Sequence, residues 1–258
     1  MRRLEGKTIA IAGGGSGIGA GIVERLVSEG ANVAIGDINL EVAEALAQSL
    51  NDKGGSALAL EMDLDHDDSV AAFVADTEKA FGGLDGFQAN AMNTRYGAAD
   101  TDPVSMDLEA FDAILRTNSR GYFLCTRHAI PALLRRGGGA MLYTSSGAAH
   151  ANHDVRPAYM MTKAASHALM RMVASKWGRD RIRANVIACG VIVTPKLEPV
   201  FGAAGNPQRE WALSRIVYKS RLGVPGDIGA MSAHLFSDDG EFITGQVISV
   251  DGGGSMRP

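Results

Sequence analysis

The stretch that most limits what this chain can fold into is its opening: an apolar run, a glycine cluster and an amphipathic run in direct succession. Thr8-Ile9-Ala10-Ile11-Ala12 reads as a short strand. Gly13-Gly14-Gly15-Ser16-Gly17-Ile18-Gly19 follows as a loop. Ala20 to Ser28 then carries Ile22, Val23, Leu26 and Val27 at helical spacing. Strand, glycine loop and helix start together make a cradle for a diphosphate, because glycines let the backbone come close and free helix N–H groups attract negative charge. A glycine run alone is explained as well by a flexible turn; the two flanking elements are what point to a nucleotide.

The next unit supports this. Asn32-Val33-Ala34-Ile35-Gly36 reads as a second strand ending at Asp37, an acid placed beyond the loop to bind the adenosine ribose hydroxyls. Its charge opposes a 2′-phosphate, and the following residue is Ile38 rather than a cation, so NAD is expected over NADP. Alternatively, Asp37 only caps the helix Leu40 to Leu50.

The alternation continues to the end. Strands are expected at Ala57–Met62, Leu84–Ala89, Ala140–Ser145, Ile182–Ala188 and Val247–Val250. Helices are expected at about Ser69–Phe81, Leu108–Leu134 (bent near Gly121 or Pro131) and Ala158–Trp177. This pattern predicts one α/β domain over residues 1–258, doubly wound and Rossmann-like, around a seven-stranded parallel sheet. Pro195 to Gly226, interrupted by Gly and Pro and carrying Trp211 and Tyr218, is the candidate substrate lid.

Bulk properties exclude several classes. A net charge of -4 supplies no basic field for nucleic acid, and no apolar stretch approaches the length of a membrane helix. After Met1-Arg2-Arg3 comes Leu4-Glu5-Gly6-Lys7, where a signal peptide needs an apolar core. Cys125 and Cys189 fit no metal spacing and are expected as free thiols in a reducing cytoplasm.

The chemistry centres on Tyr159 and Lys163, four residues apart and therefore on one face of the expected helix. An ammonium near a phenol favours the phenolate, which makes Tyr159 a candidate acid/base for a proton moving on or off an alcohol oxygen. Ser146, at the end of an apolar strand, is placed to donate a hydrogen bond to a substrate oxygen. Read singly, each has an ordinary structural explanation: an amphipathic helix edge, a solvated charge, a turn serine.

Taken together, the sequence resembles the short-chain dehydrogenase/reductase family from about Gly6 to Gly253. The family's TGxxxGxG pattern appears as Ala12-Gly13-Gly14-Gly15-Ser16-Gly17-Ile18-Gly19, and its YxxxK as Tyr159 to Lys163. Ser146 lies thirteen positions before the tyrosine, as the family's serine does, and Asn118 matches its helix asparagine. Phe242-Ile243-Thr244-Gly245-Gln246 and Val250-Asp251-Gly252-Gly253 match its C-terminal segment.

The resemblance implies an NAD-dependent alcohol dehydrogenase or ketone reductase, a homotetramer acting on a small-molecule substrate without a metal. Tyr159 exchanges the proton, Ser146 holds the substrate oxygen, and Lys163 binds the nicotinamide ribose and depresses the tyrosine. Asn118 holds a water in the relay. The resemblance also assigns cofactor contacts to Gly13, Gly15, Ser16, Gly17, Ile18, Gly19, Asp37, Ile38, Asp63, Leu64, Asn90, Val193 and Thr194.

The chain departs from the family at Ala12 for Thr, at Ala89 and Met92 in Ala89-Asn90-Ala91-Met92, and at Cys189-Gly190 for Pro-Gly. These departures motivate a second reading, a catalytically weak nucleotide sensor or scaffold on the same fold. Around the tetrad lie Arg95, Tyr96, His150, Asn152, His153, Asp154 and Arg156, a polar set that suits a small hydroxylated or anionic substrate or a solvated loop.

Overall fold

Pleating sends Ile9 and Ile11 of the first strand, β1 (Thr8–Ala12), into one apolar core and Ala10 and Ala12 into another. A strand buried on both faces must lie inside a sheet covered by helices on each side, and that is the arrangement found. The computed structural model describes residues 2–151 and 154–256. After β1 come α1 (Gly17–Ser28), β2 (Asn32–Asp37), α2 (Leu40–Asn51), β3 (Ser56–Glu61), α3 (Asp67–Phe81) and β4 (Gly86–Ala89). Then follow α4 (Leu108–Leu115), α5 (Gly121–Arg136), β5 (Gly139–Ser146), α6 (Pro157–Trp177) and β6 (Ile182–Cys189). The chain closes with α7 (Glu198–Phe201), α8 (Pro207–Ser214), α9 (Pro225–Phe236) and β7 (Val247–Val250).

The seven strands form one parallel sheet, as expected, and the structure gives their order as β3-β2-β1-β4-β5-β6-β7. Chain direction across the sheet reverses between β1 and β4, and a ligand crevice opens outside the carboxyl ends at such a switch point. One core takes Phe73, Phe87, Tyr122 and Met170; the other takes Ile22, Leu26, Leu50 and Leu235. Burial of each such side chain contributes about 1.5–3 kcal/mol, which makes the sheet a rigid base for what projects from its end.

Three regions differ from expectation. The helix expected over Leu108–Leu134 is interrupted by a π-helical turn, Arg116–Arg120, immediately before Gly121, while Pro131 is accommodated within α5. The widened turn carries Asn118, whose residue is 1% exposed. Within the stretch expected to be irregular, α7 and α8 form two short helices. Helix α9 was not expected at all. It crosses α1 closely because Gly21 meets Pro225, and a Cβ on Gly229 would lie 2.5 Å from the Gly21 carbonyl oxygen.

Among the described residues, no helix is long and apolar enough to cross a membrane, and no cluster of His, Cys, Asp and Glu could hold a metal ion.

Candidate active site

The glycine loop closes the end of β1. Gly13 and Gly17 adopt φ of +75° and +56°, the left-handed region that glycine enters without cost to a side chain. The N–H groups of Gly13 and Gly14 donate to the Gly36 carbonyl at 2.7 and 3.1 Å, seating the loop on β2. A Cβ on Gly15 would stand 2.9 Å from Asp37 Oδ2, and one on Gly19 would run into the Gly13 carbonyl oxygen. The hollow therefore depends on missing side chains, and it fits a diphosphate laid against backbone N–H groups. Helix α1 starts at Gly17, earlier than the expected Ala20, so the last loop residues are already its first turn. Ser16 precedes it as a cap residue whose side chain makes no capping bond.

Asp37 belongs to this hollow rather than to α2. Its Oδ2 accepts the Gly15 N–H at 2.9 Å and its Oδ1 the Asn39 N–H at 3.1 Å. The cap of α2 is Asn39, whose side chain accepts from Val42 N–H. Ile38 beside it is 69% exposed. Asn90, following β4, donates from its side chain to the Gly13 carbonyl at 2.9 Å. Asp63 forms the turn after β3, accepting the Asp65 N–H at 2.9 Å, with Leu64 buried beneath it. Thr194 comes over the loop: its Cγ2 is the atom nearest to a Cβ placed on Gly17, at 3.5 Å. Val193 is pinned by its N–H to the Gly223 carbonyl at 2.8 Å.

Ser146 ends β5; its Oγ accepts the Ala148 N–H at 3.2 Å, and its hydroxyl hydrogen-bonds the Tyr159 phenol. Tyr159 and Lys163 lie one turn apart in α6. The start of that helix is fixed by a residue the sequence did not single out, the buried Asp100. Its Oδ1 accepts the Ala158 N–H at 3.0 Å and its Oδ2 the Tyr159 N–H at 2.9 Å.

Lys163 is 2% exposed. Its ammonium donates to the Thr144 carbonyl at 2.8 Å and to the Tyr122 hydroxyl at 3.3 Å. Burial lowers its pKa to about 8. Tyr122 is another residue missed in the sequence, since it resembled any core aromatic. The expectation that Lys163 depresses Tyr159 is corrected. The ammonium lies 5.6 Å from the Tyr159 ring centroid and is turned towards Thr144 and Tyr122. Burial instead raises the phenol's pKa, opposed by the nearby Ser146 hydroxyl and by the charge of Arg156.

Asn118 has protein partners at both ends of its amide. Its Oδ1 accepts the Asn93 N–H at 2.7 Å, and its Nδ2 donates to Thr162 Oγ1 at 3.3 Å. Thr162 in turn donates to the Tyr159 carbonyl at 2.8 Å. Asn118 thus braces the loop after β4 against the tyrosine's own turn. Cys189 pairs in register with Ser146, and burial pushes its thiol up to about 12, so it acts as a small apolar residue. Ala12 and Ala89 are fully buried, and Met92 is half-buried. Of the polar set, Arg156 lies with its guanidinium carbon 4.2 Å from the Tyr159 ring centroid, while Arg95 sits over Tyr96. Asn152 and His153 lie outside the described residues.

Known proteins resemble this chain over nearly its whole length. A family model described as enoyl-(acyl carrier protein) reductase matches residues 12–255. The chain is 36% identical over 254 residues to the 2,5-dichloro-2,5-cyclohexadiene-1,4-diol dehydrogenase of Sphingobium indicum, spanning 98% of each. It superposes on a short-chain type dehydrogenase/reductase from Mycobacterium ulcerans with a TM-score of 0.90 at 30% identity, covering 97% of this chain and 90% of the other. A 7α-hydroxysteroid dehydrogenase complexed with NADH and 7-oxo glycochenodeoxycholic acid gives a TM-score of 0.88 at 30% identity, covering 99% and 96%. Sheet order, glycine cradle and full-length similarity agree, and the chain belongs to the short-chain dehydrogenase/reductase family of oxidoreductases.

Proposed function

We propose that the protein transfers a hydride between NAD and a secondary alcohol or ketone, with Tyr159 exchanging the proton. The observation that carries this reading is the convergence of Ser146 and Tyr159, with buried Lys163 one turn on, at the carboxyl end of the sheet beside the glycine cradle. Family members use nicotinamide cofactors, and the nicotinamide, when bound, gives or takes the hydride.

The remaining work falls to the chain. Gly13, Gly15, Ser16, Gly17, Ile18 and Gly19 supply the diphosphate hollow, and Asp37, already fixed by Gly15 and Asn39, meets the adenosine ribose. That placement supports NAD over NADP. Asp63, Leu64 and Asn90 line the adenine side, and Val193 and Thr194 reach over the cradle to the nicotinamide side. Ser146, whose hydroxyl lies within hydrogen-bond reach of the Tyr159 phenol, donates its proton to the substrate oxygen when substrate is bound. Tyr159, kept protonated by burial, is the acid when a carbonyl is reduced and accepts the proton when an alcohol is oxidised. Lys163 offers a charge to the ribose, and Asn118 holds the turn that carries Tyr159.

The segment 195–226 closes over the substrate as a lid in this reading. The homotetramer is carried over from the family resemblance; exposed Phe123 on α5 and exposed Met161 and Met172 on α6 are apolar groups that a subunit contact would bury. The two buried free cysteines suit a reducing cytoplasm. The test is a panel of secondary alcohols and cyclic diols with NAD or NADP, following absorbance of the reduced cofactor. Tight nucleotide binding with no turnover of any substrate, in either direction, would favour the sensor reading instead.

A further inference from the structure

Arg156 is one of two non-glycine residues with positive φ among the described residues, at 68°, a conformation that side-chain-bearing residues rarely adopt. The strain is held in place from several directions. The Arg156 N–H donates to the carbonyls of Asp100 and Thr101, both at 3.1 Å, and the Asp100 carboxylate fixes the next turn through Ala158 and Tyr159. The effect is to lay the guanidinium over the Tyr159 ring.

Nothing among the described residues neutralises it there. Arg3, Arg25, Arg135, Arg136 and Arg221 each pair with a carboxylate, whereas Arg156 has no such partner, and its Nε is buried without a hydrogen bond. The Asp100 carboxylate accepts the Ala158 and Tyr159 N–H groups and makes no ion pair with the Arg156 guanidinium. A second cation, Lys163, is buried on the same helix and lies 5.6 Å from the same ring. A half-buried guanidinium that lacks a counter-charge beside a second cation is costly to keep, and such arrangements persist where a ligand completes them.

The geometry points to Arg156 as the residue that recognises an anionic group on the substrate. The substrate class is then a small secondary alcohol or ketone bearing a carboxylate or sulfonate a few bonds from the reacting carbon. The planar fork of a guanidinium matches such an oxyanion, and the stack on Tyr159 holds it near the carbon whose oxygen meets that phenol. This inference rests on Tyr159 as the proton-transfer group.

The experiment titrates butanoate, propane-1-sulfonate and neutral 2-butanol into the complex of the enzyme with NADH, followed by fluorescence, for wild type, Arg156→Gln and Arg156→Lys. Wild type should bind the anions saturably, and Arg156→Gln should weaken them roughly 10- to 100-fold, the range of a charge-assisted contact, with 2-butanol unchanged. Arg156→Lys should recover part of the loss. The same variants are then compared in kcat/KM on 3-hydroxybutanoate and its methyl ester: loss of the Arg156 charge beside the phenol falls on both, and the acid should lose roughly a further 10- to 100-fold. Equal losses on acid and ester, or anion binding that is absent or indifferent to Arg156→Gln, would overturn the inference. Unaltered NADH affinity and melting temperature exclude a folding defect, with Arg156→Lys as the milder variant. Failure of the proposed function has a different sign: NADH does not bind, or Tyr159→Phe turns over the ester normally.

Discussion

The Asp100 carboxylate holds the backbone N–H of Tyr159 at 2.9 Å, with its other oxygen on Ala158, although the two residues lie 59 positions apart in sequence. A side chain from the loop after β4 therefore caps α6 in place of Arg156, the residue at the cap position, whose side chain makes no capping bond. This contact sets where the phenol stands relative to Ser146.

Asp100→Ala should orphan both N–H groups and destabilise the protein by about 1–3 kcal/mol. Turnover should fall further than cofactor affinity, because the tyrosine's turn is loosened while the cradle is untouched. Denaturant unfolding and NADH titration on the same variant check this. Unchanged turnover would show that Tyr159 is positioned by its ring contacts alone.

Asp37→Ala should narrow the preference for NAD over NADP from both sides. The ribose contact and the repulsion of a 2′-phosphate disappear together, and the Gly15 N–H loses its acceptor. Fluorescence titration of both reduced cofactors measures it. A wild-type protein that binds the two equally would remove this role from Asp37.

Ala89→Asn, which restores the family residue, should destabilise the fold by about 1–3 kcal/mol and should not tighten the cofactor. Ala89 is fully buried in an apolar cluster between β1 and β5, where an amide needs partners. Thermal unfolding with and without NADH decides the point. A more stable, tighter-binding variant would show that the site still has room for the asparagine.

Lys163→Met should abolish turnover and stabilise the protein near neutral pH by about 1–3 kcal/mol, since a buried charge is removed. Thr144 keeps the Tyr122 hydroxyl as a donor, so its carbonyl is not orphaned. The folded pKa of Lys163 is about 8 against an ordinary 10.5. Below pH 8 both states hold the proton and the folded protein bears the whole cost. Between about pH 8 and 10.5 the unfolded chain binds more protons, so wild-type stability gains as pH rises. The variant's advantage should therefore shrink over that window in denaturation curves, and a constant advantage would contradict the burial argument.

Much of this architecture was legible in the sequence because it rests on local pattern. The alternating apolar runs gave the seven strands, and the spacing of Ser146, Tyr159 and Lys163 named three groups that the fold brings together. What was hidden depends on distant partners or on single-residue offsets. Asp100 looks like a loop acid until α6 is placed above it, and Tyr122 looks like core until Lys163 reaches its hydroxyl. A π turn at Arg116–Arg120 adds no visible break to a helical pattern. Helix α9 carries Gly226 and Gly229, residues of poor helix propensity, and its stability comes from packing on α1. The effect of Lys163 on Tyr159 was misjudged because spacing fixes which face a side chain shares, not which carbonyl its ammonium will choose.

The most direct test of the account is steady-state turnover by Tyr159→Phe, with any substrate that wild type accepts, alongside NADH affinity. The ring and its packing remain and only the hydroxyl goes, so folding and cofactor binding should be preserved. Turnover should drop by at least about 10²–10⁴-fold, the contribution of a positioned proton-transfer group. Near-normal turnover in that variant would contradict the assignment of Tyr159 as the acid/base and, with it, the proposed mechanism.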